Sequence, residues 1–422
     1  MSGNPQLKAT ASLREDVLRL DEVIRRQWHS TFHDPVGERS DPHVAPLPYP
    51  YVVPCARGRF IWFFYWDTYW TNWGLLDHGL VDQARYNIEN IAYCISQFGY
   101  MPNHIPRGTD RSQPPYFGMM VWEYFERRGS EAWLRWMEPW LRREYEFWVT
   151  QRGTPTGLSR YFHSADQSAL MRFADVAAKR GVVPAITSEA ERLYVAIHRM
   201  AEAESGHDFT ARFEGRCADF NPVDLNCNLY FYEELLGRIA RIVGREDQPV
   251  WEARAAQRRK LIQELCWSEE RGLFLDYDYV RKKRSDVASL VTFWPLWVGV
   301  ATAEQAARVM ANLPLFEREH GLAACEERIG QPNFQWGYPV MWPPLVAITV
   351  IALERCGNRD AARRVAEKYL QTVAMTHRAT GQLWEKYDAI TGRPPQAEYE
   401  AQPMMGWTAG VFTRLVRFCG YV

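Results

Sequence analysis

The sequence predicts an all-α fold of about a dozen helices, and three observations predict it. Apolar residues recur at helical spacing in segment after segment. Glycines stand where such helices would end. No stretch strings together the alternating strands that a sheet would need.

Taken in order, Ser12-x-x-Glu15 reads as a capping box opening a helix to about Gln27. Apolar-periodic stretches follow at about 67–98, 114–128, 130–151, 187–204, 224–243 and 247–265. Further ones lie at about 285–300, 303–312, 343–356, 358–377 and 406–418. Gly99, Gly129, Gly244 and Gly357 are placed as C-caps. Gly272–Tyr279 (GLFLDYDY) reads as a short hairpin arm, and Arg281-Lys282-Lys283-Arg284 as a solvated loop. No Pro/Gly/Ser-rich linker, charge block or fixed-period repeat divides the chain, so residues 1–50 are a lead-in helix and approach to one domain over 51–422.

Composition excludes several functions. The 422 residues carry 50 Lys+Arg against 51 Asp+Glu, with no basic excess to neutralise a nucleic-acid backbone. The longest apolar stretch, Leu290–Ala303, contains Pro295 and two Thr and falls short of the roughly 20 residues a membrane span needs. The first residues show no apolar signal core, and the eight cysteines are scattered without metal-ligand spacing. Reduced thiols and a cytoplasmic location are the expectation. With 18 Trp, 21 Tyr and 20 Phe the chain is rich in flat rings, which either wedge between helices or stack on sugars; composition leaves both open.

The familiar motifs for phosphate, dinucleotide, zinc-protease and serine-hydrolase chemistry are missing. His29-x-x-x-His33 has helical ligand spacing but no third ligand nearby, so no metal and no cofactor are expected. What remains is carboxylate chemistry. The segments between helices read PCARGRFIWFFYWD (54–67), MPNHIPRGTDRSQPP (101–115), ESGHDFTARF (204–213), FNPVDLN (220–226), FQWGYPVMWPP (334–344), WEKYD (384–388) and GWTAG (406–410). Each mixes aromatic platforms with directed polar groups, which is how a sugar pocket is built.

On these words the chain resembles the trehalase family of inverting α-glycosidases, from Tyr51 nearly to the C-terminus. Arg59-Phe60 through Tyr65-Trp66-Asp67 looks like the first family signature, and Arg111-Ser-Gln113-Pro-Pro is an intact RSQPP. Asn103 sits in a Pro-Asn element like the family's. Ser205-Gly-His-Asp208 matches its S-G-W-D apart from His207, and Pro222-Val-Asp-Leu-Asn226, Glu385-Lys-Tyr-Asp388 and Gly406-Trp407-Thr408 also match. The resemblance implies an (α/α)6 toroid, six helices inside six, with a pocket at one end. It implies Asp208 as general acid and Glu385 as general base; each has a plainer alternative, a helix cap for Asp208 and a surface partner of Lys386 for Glu385. It also implies Arg59, Asn103, Arg111 and Gln113 as hydroxyl binders, with Trp66 and Asp67 supplying a stacking face and an acceptor. Gln335, Trp336 and Trp407 are weaker candidates, and Glu398-Tyr399 retains the Glu-Tyr of the family's lid.

Three departures fall on the leaving-group side. The family's Q-W-D reads Gln335-Trp336-Gly337 here, its R-P-E element is not found around Arg160–Arg172, and AITGRPPQAEYEAQ replaces its Gly-rich lid. The expected activity is hydrolysis of trehalose or a related small α-glucoside. Alternatives are an osmolyte glycoside such as glucosylglycerate or mannosylglycerate, with an anionic leaving group, or a sugar-binding toroid that has lost catalysis.

Overall fold

The computed structural model describes residues 5–38, 41, 44–179, 188–329, 334–395, 401–403 and 405–422. In chain order the helices are α1 (Pro5–Gln27), α2 (Tyr65–Asp77), α3 (Val81–Phe98), α4 (Phe117–Arg128), α5 (Glu131–Thr150), α6 (Gln167–Lys179) and α7 (Glu189–Glu204). There follow α8 (Val223–Val243), α9 (Gln248–Cys266), α10 (Trp294–Val298), α11 (Ala303–Ala311), α12 (Pro343–Arg355), α13 (Arg359–Thr380) and α14 (Gly406–Phe418).

Their contacts close a circle. α2 packs on α4, α4 on α8, α8 on α10, α10 on α12, α12 on α14, and α14 back on α2. Around this inner ring α3 covers α2 and α4, α5 covers α4 and α8, α9 covers α8, α13 covers α12 and α14, and α1 lies across α13 and α14. The sequences follow from the positions. α12 (PPLVAITVIALER) is apolar nearly all round because it is walled on every side. α13 buries only one face, so charged residues occupy the other. The hydrophobic core fills the space between the rings. The toroid expected from the sequence is this arrangement.

Closure at α2 and α14 depends on two glycines. A Cβ on Gly410 would lie 1.8 Å from the Trp70 carbonyl oxygen, and one on Gly74 would lie 2.5 Å from the Trp28 ring and 3.0 Å from Gly410 Cα. Trp28 is wholly buried; its indole N–H donates to His78 Nδ1 at 2.8 Å, and His78 Nε2 donates to Asp21 at 3.2 Å.

Several local expectations change. The first helix already runs from Pro5, so Ser12 lies inside it. The 67–98 stretch is two helices, broken at His78-Gly79-Leu80. Only Trp294–Val298 of 285–300 is α-helical, after a 3-10 turn at Leu290–Phe293. Gly99 and Gly244 are left-handed caps, and Gly357 is left-handed one residue past its cap, whereas Gly129 ends its helix extended at φ −72. Residues 272–279 do not pair with themselves. Leu273–Phe274 pairs back to Trp267–Ser268, and Tyr277–Asp278 pairs with Lys283–Arg284 and with Phe220–Asn221. The basic run is thus half strand. His29 lies in a 3-10 turn, and His33, in a two-residue strand, bonds Glu38 at 2.7 Å, so the pair has no shared helix face. α6 has no counterpart in the sequence reading; it pairs with α7 outside the ring.

Candidate active site

One cavity of about 190 Å³ opens at the end of the ring where the inner helices begin. Its wall comes from the first turn of α2 and from the segments leading into α4, α8, α12 and α14. Trp66, Asp67, Gln113, Gln335, Trp336, Glu385 and Trp407 form its buried depth, while Arg59 is exposed and Arg111 half-buried toward the mouth. Asn103 and Asp208 also line it. Glu398 falls outside the described residues.

Asp208 is held by the backbone around it. After α7, Gly206 (φ 71) and Phe209 (φ 56) both adopt left-handed conformations, which turn the chain sharply on either side of Asp208. For Phe209 that conformation costs about 1 kcal/mol or more. Glu202 offsets it: its Oε2 accepts the Phe209 N–H at 2.9 Å and Arg199 Nη1 at 2.6 Å. Gly206 is needed for a second reason, since a Cβ there would sit 2.9 Å from the Trp66 ring. Glu204, also wholly buried, accepts from Arg152, Phe162 N–H and Ser112 N–H, and so ties the RSQPP loop to the end of α7.

Glu385 lines the same cavity, just ahead of the Tyr387–Asp388 strand that pairs with Val340–Met341. Its own N–H donates to Gln402 O at 2.8 Å, and its carbonyl accepts the Trp407 indole N–H at 2.9 Å. Lys386 Nζ stands 3.8 Å from Glu385 Oε2 and 5.1 Å over the Trp342 ring. Both residues are buried, at 1% and 0% exposure, so this is not a surface ion pair.

Asp67 lies beside this carboxylate in the first turn of α2. Burial, reinforced by the negative charge of Glu385, pushes its pKa from 3.8 up to about 8. At neutral pH it is therefore a protonated acid that can donate as well as accept.

The aromatic lining forms a stack. Trp336 lies on Trp342 at 3.7 Å and 3°, and His207 lies on Trp336 at 4.4 Å and 13°; Trp407 closes the edge. Trp66 touches His207, Trp336 and Trp407. His207 takes the place of a tryptophan as a flat ring, and it is anchored by Arg212, which donates to its Nδ1 at 2.5 Å. Burial and the Arg212 charge lower its pKa to about 3, so it is neutral. Arg212 is itself 1% exposed and is neutralised by Asp224 and Asp276.

The polar candidates divide into two kinds. Gln113 Oε1 accepts the Trp66 N–H at 3.1 Å, and Asn103 donates from Nδ2 to Ser112 O at 3.3 Å, so both are also structural ties. Arg111 pairs with Asp110 at 2.5 Å, while its Nε is buried without a hydrogen-bond partner.

Sequence reasoning did not single out His104, Phe60, Phe64 or Trp342, which line the same cavity, nor Glu202 and Arg212 behind it. Trp342 was within reach, standing in the same aromatic word as Trp336. The buried ion network was not, because its partners come together only on folding.

Two carboxyl residues far apart in the chain, a wall of stacked rings and buried amides in one pocket are the equipment of a glycosidase. The family profile described as trehalase matches residues 3–420. The chain belongs to the trehalase family. It is 32% identical over 403 residues to the periplasmic trehalase of Pseudomonas aeruginosa, covering 89% of this chain and 72% of that one. To the periplasmic trehalase of Xanthomonas oryzae pv. oryzae it is 31% identical, covering 96% and 75%. Among solved structures, the neutral trehalase of Saccharomyces cerevisiae superimposes with a TM-score of 0.75 at 29% identity, covering 88% of this chain and 73% of that one. The cytoplasmic expectation is corrected here, because both bacterial trehalases are named for the periplasm. No described helix is long and apolar enough to cross a membrane.

Proposed function

We propose that the chain hydrolyses trehalose by a single inverting displacement in this pocket. Asp208 acts as the general acid, protonating the glycosidic oxygen as it leaves. Glu385 acts as the general base, taking a proton from the water that attacks the anomeric carbon from the other face. One C–O bond breaks and one forms, and the products are one β-glucose and one α-glucose. The pair needs a separation of roughly 6.5–9.5 Å to admit the water. Asp67, protonated at neutral pH, offers its proton to a sugar hydroxyl. Trp66, Trp336 and Trp407 give the substrate apolar walls, and Arg59, Asn103, Arg111, Gln113 and Gln335 directed contacts to its hydroxyls.

The observation that carries this reading is that Asp208 and Glu385, 177 positions apart, line one cavity in a chain of the trehalase family. Proton NMR of trehalose with the enzyme tests it: β-glucose should appear beside α-glucose from the first time point. Appearance of α-glucose alone would rule out inversion. Asp208→Ala should lower kcat by orders of magnitude with a melting temperature near wild type.

A further inference from the structure

We propose that His104 binds the leaving group of the substrate, accepting a hydroxyl hydrogen bond at Nε2, and thereby selects a neutral polyhydroxy leaving group over an acidic one. The inference rests on the glycosidase reading above and extends it to the mouth of the pocket.

The imidazole is held by stacked rings, Trp62 at 5.1 Å and 11° and Phe64 at 4.6 Å and 28°. Trp62 is backed in turn by Arg107, 5.2 Å from its ring centre. The Nδ1 edge lies against Gly108, where a Cβ would come within 2.3 Å of Nδ1 and 2.4 Å of Cε1. His104 lines the cavity, so the edge left to face it is the one carrying Nε2.

The tautomer follows from Asn103. Its Nδ2 donates to the Ser112 and Ala203 carbonyls, which leaves Oδ1 toward His104 Nδ1 at 2.9 Å. An amide oxygen only accepts, so Nδ1 carries the hydrogen and Nε2 carries a lone pair. Burial, together with the Arg111 and Arg107 charges, holds the His104 pKa down at about 3, so the ring stays neutral. Its lone pair accepts from a hydroxyl and offers a carboxylate no donor.

The side of the substrate follows from the shape. Trp66, Asp67, Gln113, Trp336 and Glu385 in the lining are buried, whereas His104 and Phe60 are half-buried and Arg59 is exposed. The leaving group must depart through the mouth, so the cleaved ring occupies the depth and the leaving group meets His104. That neutral acceptor runs against the anionic leaving groups of glucosylglycerate and mannosylglycerate.

Steady-state kinetics on trehalose and on α-glucosyl fluoride test the assignment, because fluoride departs without any leaving-group contact. His104→Phe keeps the stack and removes the acceptor; His104→Gln restores one. His104→Phe should lower kcat/KM for trehalose about tenfold while leaving the fluoride essentially unchanged, and His104→Gln should recover part of the loss. Gly108→Ala, which displaces the ring without altering it, should reproduce the split. Equal losses on both substrates, or none, would overturn the assignment, as would wild-type turnover of glucosylglycerate as fast as trehalose. Failure of the wild-type protein on trehalose overturns the glycosidase reading itself, and shows before any variant is made.

Discussion

At the scale of single residues, Asp67 couples stability to chemistry. In the folded protein it keeps its proton up to about pH 8, while in the unfolded chain it ionises near 3.8. Between those limits unfolding releases a proton, so stability falls as pH rises, and above about 8 the penalty is constant. D67N has nothing to ionise. It should therefore melt above wild type by a margin that is larger at pH 8 than at pH 5, while turnover of trehalose falls sharply. Calorimetry at the two pH values checks the sign; a margin that shrinks with rising pH would contradict it. Asp67, Asp208 and Glu385 stood out because each sits in a short word that matches a motif of the trehalase family, and all three line the cavity. His104 stood in such a word and was passed over, since what makes it informative is the stack of Trp62 and Phe64 around it. Glu202, Glu204 and Arg212 look like ordinary helix charges until folding buries them against partners.

At the scale of elements, α4 begins without a Ser, Thr, Asp or Asn cap. Its first free N–H groups are satisfied from neighbouring helices instead. Phe117 N–H donates to the Tyr65 hydroxyl at 3.0 Å and Gly118 N–H to the Tyr232 hydroxyl at 2.8 Å. Both hydroxyls donate onward to Glu144 of α5, at 2.5 Å from Tyr65. Four helices thus share one buried carboxyl, whose pKa burial raises to about 7. Y232F would leave the Gly118 N–H and one carboxylate oxygen unsatisfied and should cost about 1–3 kcal/mol. Urea unfolding should show a lower midpoint with an unchanged slope. The same all-round burial explains the segmentation errors. α2 (YWDTYWTNWGLLD) has twelve of its thirteen residues buried, so its pattern runs into that of α3 without a polar face to mark the join. The amphipathic outer helices α5 and α13 were read within a residue or two at their starts, because each has a solvent side.

At the scale of the whole molecule, the circle of inner helices was expected from the family resemblance and from the helix count, but its seam was not visible in the sequence. Gly74 and Gly410 carry no pattern of their own; they are needed because two helix backbones approach there more closely than any side chain allows. G410A would drive a methyl into the Trp70 carbonyl. It should cost about 3 kcal/mol, lower the melting temperature and reduce activity, since Trp66 and Trp407 stand on the two helices it forces apart. Retention of full stability would mean that the seam can slide.

That seam also sets a timetable. The wall carrying Trp66 and Asp67 is among the first parts of the barrel to be synthesised, and its facing neighbour α14 is the last. Until α14 is made, the ring lacks the helix that packs on both α2 and α12, and the pocket lacks Trp407. New termini cut into a surface loop elsewhere, with the old ends joined, would move that opening to another spoke of the wheel and leave the finished enzyme the same.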